Sequence, residues 1–77
     1  MVTTSNPPKI ELDKEVEWIL GRPVFYCAPL AEALRQKGWE IQTKIEVEQA
    51  VVIHWMLNLY LEHGEGWREI AKATIRK

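Results

Sequence analysis

The sequence predicts a mainly α-helical fold, a small four-helix domain with room for a short two-stranded element, whose long central helix is shared in a dimer. Three observations carry that reading. The segment Ala50–Leu61, AVVIHWMLNLYL, is apolar at every position except His54 and Asn58. Such a run is too apolar for one surface helix and too short for a membrane span, which needs about 18–20 residues. Gly21, Gly38 and Gly64 break the helical periodicity, each where a helix C-terminus favours glycine. Thr43-Lys44-Ile45-Glu46 has the form of a capping box, in which hydroxyl and carboxylate each satisfy an otherwise orphaned backbone N–H.

Residues 1–9 are small, polar and proline-paired and read as a mobile tail, leaving 10–77 as one helical domain. The first helix is short. Asp13 is placed to cap it, Glu15 and Glu17 favour its N-terminal dipole, and Gly21 followed by Arg22 and Pro23 ends it. Leu12, Val16, Ile19 and Leu20 fall on one face. Val24-Phe25-Tyr26-Cys27 is β-favouring and lies between Pro23 and Pro29, as an extended segment or edge strand would. A second helix is expected to start with Pro29 at its first position, to turn Leu30, Ala31 and Leu34 inward, and to stop at Gly38. Trp39–Thr43 alternates apolar and polar residues, as a short strand or extended link would. Its pairing with Val24–Cys27 is left open.

The third helix is expected over Lys44–His63, spanning about 30 Å. On a helical wheel Ile45, Ala50, Val52, Ile53, Met56 and Leu57 share one arc of roughly 200° with Leu59, Tyr60 and Leu61. The opposite arc holds Lys44, Glu48, His54, Asn58 and Glu62, with Val47, Val51 and Trp55 among them. A helix packed on one side needs only about 100° of apolar face, so a second face is left to bury. The expected dimer interface is therefore Val52, Ile53, Met56, Leu57, Leu59 and Tyr60. A fourth helix follows from about Trp67, with Trp67, Ile70, Ala71 and Thr74 along one side and Arg68, Lys72 and Arg76 along another.

Composition narrows the function. A chain of 77 residues is one domain, small enough for a monomer to be marginally stable. Four tryptophans enlarge its core or supply interface anchors. The net charge of −1 removes the general electrostatic argument for nucleic acid or anionic lipid. The single cysteine, Cys27, rules out an internal disulfide framework, and MVTTSNPPK has no apolar signal core. A cytoplasmic location, with no membrane association, is the expectation.

No constellation carries a specific chemistry. His54, Asn58 and Glu62 share a helical stripe, but His63 points about 180° from His54, so a metal site lacks ligands. The stripe reads as a solvent boundary, or as a hydrogen-bonded seam between paired helices. Cys27, in an aromatic stretch with no nearby base, reads as a buried hydrophobe rather than a nucleophile. His63-Gly64-Glu65-Gly66 lacks the lysine and spacing of a phosphate loop and reads as a turn. Arg68, Lys72 and Arg76 are the candidate contacts for a partner or for phosphate, although Glu65 and Glu69 interleave them. No catalytic, metal or cofactor-binding residues are expected, and no enzyme activity.

Glu48-Gln49-Ala50, His54-Trp55, Leu59-Tyr60-Leu61-Glu62-His63-Gly64 and Trp67-Arg68 together resemble small uncharacterised proteins encoded by bacteriophages and prophages. The likeness covers about the last 40 residues. It implies a bacterial or phage accessory protein without a defined activity, such as an inhibitor or adaptor acting on a host protein. The expected function is thus a non-enzymatic protein–protein interaction module. The alternative is a small DNA-binding regulator using the C-terminal basic helix, with nucleic acid the less favoured partner.

Overall fold

The computed structural model describes residues 10–76; the tail read from residues 1–9, and Lys77, lie outside the described residues. The chain is mainly helical, in the order α1 (Lys14–Leu20), α2 (Val24–Gln36), α3 (Ile45–His63), a 3-10 turn (Gly64–Gly66) and α4 (Trp67–Arg76). Helix α3 is the beam of the molecule: α2, α4 and α1 all pack against it, whereas α2 and α4 barely touch each other. The core where they meet consists of Ile19, Cys27, Ala31, Leu34 and Ile41 with Val52, Trp55, Met56 and Trp67.

Helix α1 starts as its sequence dictates. Asp13 takes an extended conformation, and its side chain accepts a hydrogen bond from the Val16 N–H at 2.9 Å. Val16 and Ile19 are buried, but Leu12 and Leu20 stay 67% and 50% exposed. Seven residues make barely two turns, and the contact face is too narrow to include the flanking leucines.

The β-favouring run Val24–Cys27 is the first turn of α2, not a strand. Pro23 supplies the extended N-cap, and both Tyr26 N–H and Cys27 N–H donate to its carbonyl. Starting there puts Cys27, Ala31 and Leu34 in line, and all three are fully buried. Burial of that stripe outweighs the modest β preference of valine and phenylalanine. Pro29 consequently lies inside the helix instead of opening it. It cannot donate to the Phe25 carbonyl, in a stretch where Phe25, Ala28 and Pro29 are all exposed. Gly38, at φ +98°, turns the chain out of α2 while Trp39 N–H reaches back to Leu34 O at 3.1 Å.

The link Trp39–Thr43 pairs with no strand; there is none among the described residues. An arginine takes the place of the neighbouring strand. Arg35 Nε donates to Ile41 O and Nη2 to Gln42 O, both at 3.0 Å. The same guanidinium binds Glu48 Oε2 at 2.6 Å and Glu32 Oε1 at 3.2 Å. One side chain thus fixes the link against both α2 and α3, and Ile41 drops into the core.

The capping box does not form. Lys44 is the N-cap of α3, with no side-chain cap hydrogen bond, and its carbonyl accepts from Glu48 N–H at 2.9 Å. Thr43 therefore lies outside the helix, one residue too early to cap it. Trp55, placed by the wheel among polar residues, belongs to the core at 8% exposure. Its ring meets Trp39 edge to face, with centroids 6.4 Å apart.

The expected dimer interface changes accordingly. Val52 and Met56 are buried inside this chain, at 0% and 2% exposure, and present nothing to a partner. Ile53, Leu57, Leu59 and Tyr60 are half-buried against the same core. Three helices of one chain cover most of the apolar arc that the sequence reading assigned to a second subunit.

Candidate interaction surfaces

The N-terminal turn of α1 is tied down by two carboxylates. Tyr60 Oη donates to Asp13 Oδ2 at 2.8 Å. Glu15 Oε1 accepts from Trp67 Nε1 at 2.9 Å and from Arg68 Nη1 at 2.6 Å. The Val16 N–H and the Tyr60 hydroxyl hold the Asp13 carboxyl below its usual range. The Trp67 indole and then the Arg68 guanidinium do the same for Glu15. Conversely, the Asp13 carboxylate, aided by burial, pushes the Tyr60 hydroxyl up.

These contacts break up the basic stripe. Arg68 is bound to Glu15, and its guanidinium carbon stands 4.9 Å from the Trp18 ring centroid and 4.7 Å from that of Trp67. Lys72 lies 3.9 Å from Glu69, while Arg76 is exposed at the end of α4. One of the three candidate phosphate contacts is thus a structural clamp. On the inner side of α4, Ile75 rather than Ile70 packs against the core.

An array of alternating cations and aromatic rings surrounds Arg68. Arg22 stacks 3.8 Å from the Trp18 centroid and 5.4 Å from that of Tyr26, and its Nε donates to Trp18 O at 2.8 Å. Trp18 lies edge-on to Tyr26 and tilted against Trp67. The four-residue spacing between Trp18 on α1 and Arg22 in the turn that follows it was a legible signal for this stacking. Beside the array, where α2 and α4 diverge, is a cleft of about 130 Å³. Its floor is Trp55, Met56 and Trp67, with Tyr26 and Leu30 on one wall and Ala71 and Ile75 on the other. Arg68 and Lys72 also line it.

A second surface follows the outside of α3. Ala50, Ile53 and Leu57 line a shallow groove with Leu20, Gln49 and His54, and Leu61 continues the row one turn on. Gln49 Nε2 donates to Arg22 O at 2.9 Å and so locks α3 to the α1–α2 turn. Leu20 and Leu61 are half exposed, at 50% and 56%. The polar stripe beside the row faces solvent. His54, Asn58 and Glu62 are exposed, Asn58 Nδ2 donates back to His54 O, and Glu62 pairs with His63 at 3.2 Å.

Among the described residues no group of three His, Cys, Asp or Glu side chains is placed to hold a metal ion. Cys27 is fully buried, and burial pushes its thiol above the usual range against the opposing pull of Arg22. A thiol so disposed is a poor nucleophile. No helix among the described residues is long and apolar enough to cross a membrane. Comparison with known proteins returns no matching family model, curated protein or solved structure.

Proposed function

We propose that the chain is a non-enzymatic protein–protein interaction module that self-associates through the outer face of α3. One observation carries this reading: after α1, α2 and α4 have packed on α3, Ala50 and Leu61 stay exposed and Ile53 and Leu57 only half-buried along one row, with Leu20 half exposed beside it. The spacing of three, four and four residues is that of a helix–helix seam. This face is smaller than the interface expected from the wheel, because Val52 and Met56 have gone into the core and Leu59 and Tyr60, like Ile53 and Leu57, are already half-buried against it. Opposed helix dipoles favour an antiparallel pairing of the two copies.

Light scattering tests it. The unmodified protein is expected at twice its chain mass of 9.0 kDa at micromolar concentration. Leu61→Asp, at a position 56% exposed in the single chain, buries an unpaired charge in the seam and should give a folded monomer with unchanged helical circular dichroism. Met56→Asp, directed into the core, should unfold the chain instead. A wild-type protein that stays monomeric at about 100 μM, well above the dissociation constants of stable dimers, refutes self-association.

A further inference from the structure

The cleft between α2 and α4 shares no residue with the α3 row. We infer that it is a second binding site, which receives one large apolar side chain of a partner protein flanked in sequence by Asp or Glu. The inference rests on the chain being an interaction module, but not on its self-association.

Size sets the first limit. At about 130 Å³ the cleft falls below the roughly 300–1,000 Å³ of sites for cofactors and drug-sized molecules. It is close to the ~150 Å³ void that holds a single benzene ring. One leucine, phenylalanine or similar anchor fills it. The lining sets the second limit. The floor of Trp55, Met56 and Trp67 is apolar, and the Trp67 N–H is already bonded to Glu15. No buried side-chain polar atom among the described residues lacks a partner, so the floor asks nothing polar of its occupant. An anchor seated there removes aromatic surface from water, as hot-spot pockets do.

Charge chooses the flanks. Arg68 and Lys72 line the cleft on α4, with side-chain exposures of 42% and 63%. Arg22 stands 5.4 Å from the Tyr26 ring centroid but does not itself line the cleft. Against Arg68 and Lys72 stand Glu15, committed to Trp67 and Arg68, and Glu69, at 3.9 Å from Lys72. The Arg68–Glu15 bond uses only Nη1, so the rest of the guanidinium fork can take a carboxylate, and a solvated Lys72 can change partners at little cost. A carboxylate on either side of the anchor meets this rim; a lysine there is repelled.

Three blocked peptides test the assignment: acetyl-Glu-Phe-Glu-amide, acetyl-Gln-Phe-Gln-amide and acetyl-Glu-Ala-Glu-amide. The readout is the indole N–H resonance of each tryptophan, titrated in both the unmodified protein and the Leu61→Asp variant. The Glu-Phe-Glu peptide should shift Trp55 and Trp67 saturably, with a dissociation constant in about the millimolar range expected of one anchor. Neutral flanks should weaken binding roughly threefold to tenfold, as should Lys72→Gln to a lesser degree, because rim charges are worth little each. Glu-Ala-Glu should shift neither resonance, and Ala71→Leu, which fills the cleft, should abolish the response. The same titration in Leu61→Asp should give the same affinity whatever the oligomeric state, which separates this inference from the dimer. Absence of a saturable shift at Trp55 and Trp67 up to about 10 mM peptide overturns it. So does equal affinity for Glu and Gln flanks, or binding that survives Ala71→Leu in a folded variant.

Discussion

Replacing Lys44 by Asp should stabilise the protein, although nothing at that position contacts the core. Lys44 has φ −121° and ψ 135°, the extended conformation of an N-cap, and its carbonyl already accepts the first bond of α3. What it lacks is a side chain that can accept a hydrogen bond from the N–H groups of Glu46 or Val47, two of the orphan donors of the first turn. A good cap at such a position is worth about 0.5–2 kcal/mol over a residue that cannot cap. Removing a positive charge from the positive end of the helix dipole and adding a negative one contributes roughly 0.3–1 kcal/mol more in dilute salt. Each kcal/mol corresponds to about 4–8 °C in Tm for a chain of 60–100 residues, so Lys44→Asp should raise Tm by several degrees. Lys44→Asn should show the capping gain with less of the dipole contribution. Thr43→Ala, outside the helix, should leave Tm unchanged. Thermal unfolding followed by circular dichroism at one fixed protein concentration measures all three, since self-association makes Tm depend on concentration. If Thr43→Ala costs about 1 kcal/mol while both Lys44 variants gain nothing, α3 begins at Thr43 with a working capping box, and the reasoning fails.

Acid should loosen α1 first. The folded-state pKa values of Asp13 and Glu15 lie below their ordinary values of 3.8 and 4.5, so their contribution is fully present above those values and is lost as pH falls through the depressed ones. Asp13→Asn with Glu15→Gln should therefore lower stability at pH 7 and flatten its dependence on pH below about 4.5; a parallel acid profile in the double variant argues against the clamp. The basic residues of α4 should separate into two kinds. Arg68→Gln should lower Tm by freeing Glu15 and unstacking Trp18 and Trp67, whereas Lys72→Gln and Arg76→Gln together should not, and equal effects from all three would mean that the Arg68 contacts do not hold in solution.

The sequence by itself determined the helical class, the cap that opens α1, the glycines at which α1, α2 and α3 stop, and the size of the apolar load. Asp13, Gly38 and Gly64 act through local backbone chemistry, a cap and two positive-φ exits, which needs no knowledge of distant residues. The turn at His63–Gly66 was legible for the same reason. What tertiary structure decided was which surface each element turned inward. Val24–Cys27 became helix because Cys27, Ala31 and Leu34 could be buried together on α3, a gain that local propensity cannot register. Trp55 crossed from the polar arc into the core because α2 and α4 enclose α3 from two sides, so its buried sector is wider than one helical face. The link Trp39–Thr43 needed no strand partner because Arg35, seven residues before Gln42, supplied the donors. The same enclosure withdrew Val52 and Met56 from the expected interface, half-buried Ile53 and Leu57, and left Ala50 and Leu61 exposed. Periodicity records how much of a helix must be buried; only the positions of the other helices decide which part of that surface remains for a partner.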